Sequence, residues 1–364
     1  MVKSDEDMNE NYNKAKHGKG KKVRKKKRKV LKVIIVIFVL LIVAFLTLLY
    51  GPWSGFRDWY ITSAMTSMNH QWLAYLFYSQ DTIDEVMSRN KTVEVSGVTD
   101  ESQIKVEKPQ EPQYANEYEK EILEKDPAHP DYKIIDIKGK AYNGYLAAVY
   151  DAKKIHTMVC KKVNVVGEYV TTMAKREGAT LAINGGGFDD PNYSSNGGTP
   201  TGITFSRGKI ITDQDNAGSG GLIGITDEGV LTLGRINSSK AKSLGVKEAV
   251  TCGPFLIING EKSSVLGNGG WGQAARTVIG QRKDGIMLWL VLNGRNYTSG
   301  ILGADMNDLI EIMERYGAYN AACLDGGTSS VMVENGEIIN DPIDSSGKHK
   351  TRFIPTAFGL FTDE

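Results

Sequence analysis

The chain has 364 residues and a formal net charge of +1, enough for one large domain with accessory segments. The near-neutral total hides an asymmetry: of 44 Lys and Arg, thirteen lie at or before Lys32, against four of the 43 acidic residues, leaving 31 basic and 39 acidic residues, a balance of −8, for the rest. Three cysteines, Cys160, Cys252 and Cys323, form no disulfide framework; three buried apolar thiols are the simpler expectation.

Residues 1–29 are polar and charged and are expected to be a disordered basic tail. Residues 33–49 form an uncharged run of 17, almost all Val, Ile, Leu and Phe. At 1.5 Å per residue it covers roughly 26 Å, and Val30, Leu31 and Tyr50 extend it to a span at 30–50. Lys21-Lys-Val-Arg-Lys-Lys-Lys-Arg-Lys29 precedes it; Gly51, Pro52, Trp53, Trp59 and Tyr60 follow it, suited to an interfacial belt. The Lys/Arg excess places the N-terminus in the cytoplasm and the C-terminal body outside, as a single-pass protein of the cell membrane. A cleaved signal peptide would have a shorter apolar core and an Ala-x-Ala site, which Tyr50-Gly-Pro-Trp lacks. Beside an apolar span, topology and anionic lipid explain the basic run more simply than nucleic acid, which is not expected as a partner.

Residues 51–90 read as a juxtamembrane helical segment. Ile61, Met65, Met68, Trp72, Tyr75 and Leu76 make one helical stripe within 57–78, and a second helix is expected from Asp81, as its cap, through Met87. Residues 91–131, rich in Glu, Lys, Gln and Pro, read as a linker or stalk. From Tyr132 the composition changes. Apolar strands punctuated by Gly, Asn and Asp alternate with a helix at 167–178 and a strongly periodic one carrying Met306, Leu309, Ile310, Met313 and Tyr316, capped by Asp305 and closed by Gly317. The expected fold is α+β: a mixed, β-rich exported domain at 132–364 with a few packed helices, preceded by one transmembrane helix.

Three glycine-rich turns each follow an apolar strand: Asn184-Gly-Gly-Gly-Phe-Asp-Asp190, Thr251-Cys-Gly-Pro-Phe255 and Leu324-Asp-Gly-Gly-Thr-Ser-Ser330. Glycines at strand ends let backbone amides approach phosphate or sugar hydroxyls. Asp325 at such an end is suited to general acid–base work, to hydroxyl binding or to a metal; it equally suits an Asx turn. Thr328, Ser329 and Ser330 offer hydroxyls or are plain turn residues. Arg276, Arg295 and Arg352 are suited to bidentate anion contacts or are solvated strand-end charges. Asn184 and Asn293, each before Gly, can read hydroxyls or occupy left-handed turns. No His lies between residues 157 and 348, so a Ser-His-Asp triad or His-based zinc site would draw on His156 or His349, and no phosphate-binding Gly-x4-Gly-Lys-Ser/Thr loop occurs. No cofactor follows from the sequence; a carboxylate and carbonyl site for a divalent cation, Ca or Mg, is compatible with it.

Ala182-Ile-Asn-Gly-Gly-Gly-Phe188, Gly253-Pro-Phe-Leu-Ile-Ile-Asn-Gly260, Ala275-Arg-Thr-Val-Ile-Gly280, the helix at 305–316 leading into Asn320-Ala-Ala-Cys-Leu-Asp-Gly-Gly-Thr-Ser-Ser330, and Arg352-Phe-Ile-Pro-Thr-Ala-Phe-Gly359 resemble, in order and spacing, the phosphodiester glycosidase family, whose bacterial members include exopolysaccharide biosynthesis proteins. The resemblance covers about residues 140–363. It implies hydrolysis of a sugar 1-phosphodiester, with Asp325 and Arg276 as catalytic residues; by analogy with glycosidases a second carboxylate is expected, Asp189 or, alternatively, Asp190. It implies a pocket lined by Asn184, Arg276, Asp325, Thr328 and Ser329; Gly185, Gly186, Asn293, Gly326, Gly327, Ser330 and Arg352 are the further substrate-binding candidates from the turns and strand ends. The expected substrate is a sugar phosphate or polysaccharide of the cell envelope, or a glycolipid. The alternative is a non-catalytic polysaccharide-binding or polymer-assembly protein. All of this requires Asn184, Arg276 and Asp325 to converge.

Overall fold

The structure, a computed structural model, describes residues 29–67, 70–105, 114–191, 195–214, 220–344 and 346–362. The basic tail up to Arg28, and Met68 of the juxtamembrane stripe, lie outside the described residues. Helix α1, Lys29–Tyr50, has 22 residues and a mean hydropathy of 3.3, long and apolar enough to cross a membrane. Apart from Leu49 its side chains are exposed, and a helix apolar on every face needs an apolar medium around it.

The stripe expected as one helix forms two, α2 (Ser54–Met65) and α3 (Trp72–Phe77). The break has a local cause. Thr62 and Thr66 turn their hydroxyls back onto the carbonyls of Asp58 and Thr62, both at 2.8 Å, a contact that competes with helix propagation. α3 then folds back, so that the Tyr60 hydroxyl reaches the Leu73 carbonyl. Helix α4, Gln80–Ser88, is capped by Ser79, not Asp81: the Ser79 hydroxyl accepts from the Thr82 amide. Ile61, Ala64, Ala74, Tyr78, Ile83 and Val86 close a small core with Leu49. Hydrogen bonds from Tyr50 to the Phe77 carbonyl and from Tyr78 to the Leu49 carbonyl tie this unit to the end of α1.

The described part of 91–131 is bound to the domain and does not hang free. Thr92–Val93 pairs antiparallel with Ser264–Val265. The Thr99, Asp100 and Lys105 amides donate to Leu233, Asn259 and Lys283. Helix α5, Glu117–Leu123, buries Ile122 completely. This attachment runs through backbone groups and a few apolar anchors, and composition does not register backbone bonds.

Among the described residues the domain is built on three antiparallel sheets of five or more strands, beside the two-stranded pair that holds Thr92–Val93. A seven-stranded sheet runs Glu261–Lys262, Phe255–Ile258, Ala318–Cys323, Arg276–Arg282, Met287–Leu292, Asn143–Val149, Tyr132–Lys138. A five-stranded sheet runs Glu337–Ile338, Met332–Glu334, Leu181–Asn184, Thr356–Leu360, Ile155–Val159. Another runs Lys209–Asp213, Ile203–Ser206, Val246–Cys252, Gly221–Thr226, Leu231–Gly234. Strand Met287–Leu292 shows why its run is uniformly apolar. Met287, Trp289 and Val291 face the central core where the three sheets meet, and Leu288, Leu290 and Leu292 face a second core, as period-two alternation requires when both faces are covered. Helix α6 (Val170–Glu177) lies against the Leu181–Asn184 sheet, and α7 (Ser238–Ser243) contributes Ala241 to a small core on the third sheet. Helix α8, Met306–Arg315, covers the second core. Asp305 caps it as expected, within a capping box completed by Asp308.

Candidate active site

Strand ends of two sheets meet at the Asp325 turn, where the Asp325 amide donates to the Gly185 carbonyl. Strand Ala318–Cys323 delivers Asp325 into a tight turn, Gly327–Ser329, where Gly327 has φ +62°. Strand Leu181–Asn184 ends beside it. The Asn184 side-chain amide donates to the Asp325 carbonyl at 2.7 Å, and its oxygen accepts from the Thr277 hydroxyl at 2.7 Å and the Val331 amide at 3.2 Å. Asn184, Asp325 and the strand that starts at Arg276 therefore converge. Asn184 is fully buried and spends its side chain on protein, so it positions the turn and does not line a pocket. Asn184→Ala leaves a buried hydroxyl, amide and carbonyl without their partner. It is expected to cost about 2–5 kcal/mol, read as a lowered denaturation midpoint; an unchanged midpoint would show that the lock is dispensable.

Arg276 is 8% exposed and its guanidinium rests in a cradle of carbonyls: Trp271 at 2.8 Å, Gly272 at 2.7 Å and Ala304 at 3.3 Å. Among the described residues no carboxylate pairs with it. Asp305 is within electrostatic reach but uses its carboxylate to cap α8. Burial pulls the Arg276 pKa down and the charge of Arg295 adds to the shift. Arg295 holds the Thr328 hydroxyl at 2.8 Å from a backbone with φ +65°, a conformation that costs a non-glycine residue of order 1–3 kcal/mol. The glycine pair lies between the two cations. A Cβ at Gly326 would stand 3.7 Å from Nη1 of Arg276, and one at Gly327 would meet Nη2 of Arg295 at 2.9 Å. Gly327→Ala is accordingly expected to strain the turn, displace Arg295 and raise KM more than it changes the unfolding midpoint; an unaltered KM would contradict this placement.

On the other side of Asp325 stands a second acid. Asp190 accepts from Arg352 at 2.6 Å and from the Ser195 amide at 2.8 Å, and Arg352 lies over the Phe188 ring at 4.6 Å. Burial opposes ionisation of Asp190, but the Ser195 and Arg352 contacts outweigh it and hold its pKa below the usual carboxylate range. Asp325 shifts the opposite way. Burial pushes its pKa up and the Asp190 charge adds to that, against the Ser329 hydroxyl, Arg352 and the Gly326 amide. Two carboxylates driven apart in proton affinity are the usual basis for dividing acid–base roles.

The remaining expected site residues are placed as follows. Asp189 is exposed, with its amide bonded to the Thr199 carbonyl; its neighbour Asp190 is the acid that senses Asp325. The Gly185 and Gly186 amides are taken by the carbonyl and hydroxyl of Thr356, and a Cβ on either glycine would clash with backbone, so these glycines serve close packing. Asn293 is bound to Asn143, Asn340 and Asp341, and the left-handed residue of its turn is Arg295. Ser330 is fully buried, its hydroxyl without a partner among the described residues. Gly326, Gly327, Thr328, Ser329 and Arg352 gather around Asp325. Cys252, half-buried where full burial was expected, has its thiol pKa pushed up by burial and then by Asp325, which puts it beside the site. Asp190 and Arg295 carried a signal in the sequence, an Asp before a Ser-rich turn and an Arg after Asn-Gly, but no pattern that ranked them above their neighbours. Among the described residues no group of three or more His, Cys, Asp or Glu gathers as a metal-ligand set.

A family model described as phosphodiester glycosidase matches residues 177–361, just over half of the chain, and that segment contains every residue of the site. The SPbeta prophage-derived uncharacterized protein YomE of Bacillus subtilis (strain 168) is 30% identical over 184 residues, 48% of this chain and 27% of that protein. The chain thus spans about a quarter of that relative's length. Among solved structures, the zebrafish N-acetylglucosamine-1-phosphodiester alpha-N-acetylglucosaminidase catalytic domain, auto-inhibited by pro-peptide, is similar with a TM-score of 0.52 and 21% identity, covering 63% of this chain and 81% of that one. At that identity the likeness shows a shared fold. A hypothetical protein from Synechocystis is similar with a TM-score of 0.48 and 16% identity, over 63% of this chain and 61% of that one.

Proposed function

The chain belongs to the phosphodiester glycosidase family, and from that premise we propose that it hydrolyses a sugar 1-phosphodiester of the cell envelope, in polysaccharide or glycolipid, from a domain held outside the cytoplasm by α1. One observation carries the reading. Two guanidiniums with no carboxylate partner among the described residues, Arg276 and Arg295, flank the Gly326-Gly327 turn one residue from Asp325. A largely buried cation without a counter-ion is costly, and a phosphodiester entering between the two supplies the missing charge. The zebrafish relative is named for a sugar 1-phosphodiester, the same bond class. The apolar α1 and the basic run before it support the anchored, outward-facing arrangement.

The chemistry follows from the divided carboxylates. Asp325, with its raised proton affinity, takes a proton from water. The water oxygen bonds to the anomeric carbon, and the bond from that carbon to the phosphate oxygen breaks through an oxocarbenium-like state. The electron pair leaves on phosphate, a leaving group of low basicity that needs no general acid. Its charge is met by Arg276 and Arg295. Asp190 stays ionised, locked by Arg352, and faces the developing positive charge.

This assignment fixes the direction of two pH shifts. Turnover requires ionised Asp325, so kcat/KM falls as pH drops through its raised pKa. Asp190→Asn removes a charge that raises that pKa and moves the acid limb to lower pH; Arg352→Gln removes one that lowers it and moves the limb to higher pH. Limbs that stay put, or move the opposite way, would remove Asp325 as the base. The full-length protein in detergent is expected to release free sugar from a panel of sugar 1-phosphodiesters. Glycan binding that survives Asp325→Ala, with no product from wild type, would identify a binding protein instead.

A further inference from the structure

The cradle of Arg276 leans on the end of α2 and on the residues just after α4. Its carbonyls from Trp271 and Gly272 belong to the loop 266–272, and that loop is clamped at four points. The Leu266 amide donates to the Lys91 carbonyl, the Asn268 amide to the Asn90 side chain, and the Thr92 hydroxyl to the Gly269 carbonyl. Gly272 packs so close to Thr66 that a Cβ there would meet its hydroxyl at 2.9 Å. One residue, Gly272, therefore separates the Arg276 guanidinium from the end of α2. From Tyr50 to Thr66 the chain spans at most roughly 35 Å, about 18 Å of it the twelve-residue α2. The Arg276 guanidinium thus lies within roughly 40 Å of the end of α1, whereas a free stalk over residues 91–131 would let the domain range to roughly 140 Å.

The same helices carry an exposed apolar row. Trp53 is 60% exposed, Trp59 61%, Trp72 57% and Leu76 59%, although Ile61, Ala74 and Tyr78 on the same helices are buried against Leu49 of α1. These side chains sit on the segment that follows α1 directly in the chain, and tryptophans beside a span are the residues that settle at headgroup depth. The occupant that suits an apolar, Trp-rich face directly after a membrane-spanning helix is the bilayer surface.

We propose that the domain works docked on the bilayer through this row and that its substrate is a sugar 1-phosphodiester carried on a lipid, whose phosphate lies near headgroup depth within reach of Arg276 and Arg295. This rests on the hydrolase reading above. The test uses the full-length protein in phospholipid vesicles and two esters of the same sugar 1-phosphate, one on a long-chain lipid and one on a short water-soluble alcohol. Wild type is expected to show at least tenfold higher kcat/KM for the lipid-borne ester, and its tryptophan fluorescence to be quenched by spin-labelled lipids. The combined substitution Trp59→Ser, Trp72→Ser and Leu76→Ser should erase the preference and leave the soluble ester unchanged, which also reports an intact fold. Equal kcat/KM for the two esters in wild type overturns this inference alone. So does an absence of quenching together with a preference that survives the substitutions, as when a second copy or another protein covers the row. If neither ester is cleaved, the hydrolase reading fails and takes this inference with it.

Discussion

Asp325→Asn is expected to lower kcat/KM by about 10²–10⁴-fold, the usual contribution of a positioned base, without loss of stability. The stability half follows from sign. Burial raises the folded-state pKa of Asp325 above the unfolded one, so at pH above both values the ionised carboxylate is a net penalty on folding, and a neutral isostere removes it. The Gly326 amide that donates to Asp325 at 3.0 Å keeps an oxygen acceptor in the amide variant. Activity and stability should thus separate: turnover collapses, while the unfolding midpoint at neutral pH holds or rises. A variant that lost both would place Asp325 in a structural turn and not in the chemistry. The Asx-turn role read from the sequence is partly real, since Asp325 does bond the amide after it. The proposed catalytic role adds to this the opposed shift of Asp190.

Arg276→Met is expected to reduce kcat by about 10²–10³-fold, the effect of removing one charge-stabilising donor from a preorganised site. Arg276→Lys should recover little of it. The guanidinium is held by three carbonyls through Nε and Nη2 and turns Nη1 toward Gly326, and an ammonium has no fork with which to fill the cradle and face the ligand together. Steady-state kinetics of both variants settle the point, since lysine restoring near-wild-type turnover would reduce Arg276 to a point charge. The two predictions also differ in kind. Loss of Asp325 removes a proton acceptor and reshapes the pH profile, whereas loss of Arg276 leaves the profile in place and lowers it.

The sheets and the helix over residues 306–315 were legible because apolar periodicity, glycine punctuation and an Asp cap all agree there. Asn184 and Asp325 were legible as candidates through glycine turns that each follow a strand, whereas Arg276 opens a strand and its meeting with them was a requirement of the resemblance. What each residue does was less so. Asn184 and Asn293 stand where a ligand-reading side chain would stand, yet both are consumed by backbone and side-chain partners brought in from 93 and 150 residues away, Thr277 and Asn143. Asp189 and Asp190 are adjacent and chemically identical; Arg352, 162 residues from Asp190, decides between them. The stalk misled for a related reason: its attachment uses main-chain bonds to Ser264–Val265, Leu233 and Lys283, which no composition records. The break between α2 and α3 was visible in principle, as Thr62, Ser63, Thr66 and Ser67 crowd hydroxyls into one turn.

In the proposed reaction water attacks the anomeric carbon while phosphate departs between Arg276 and Arg295. Hydrolysis of a sugar 1-phosphodiester in ¹⁸O-labelled water, followed by mass spectrometry of both products before the sugar exchanges its anomeric oxygen, tests it directly. Label is expected in the released sugar and none in the phosphate monoester. Label in the phosphate would mean attack at phosphorus, and the assignment of Asp325 and the two arginines would fall with it.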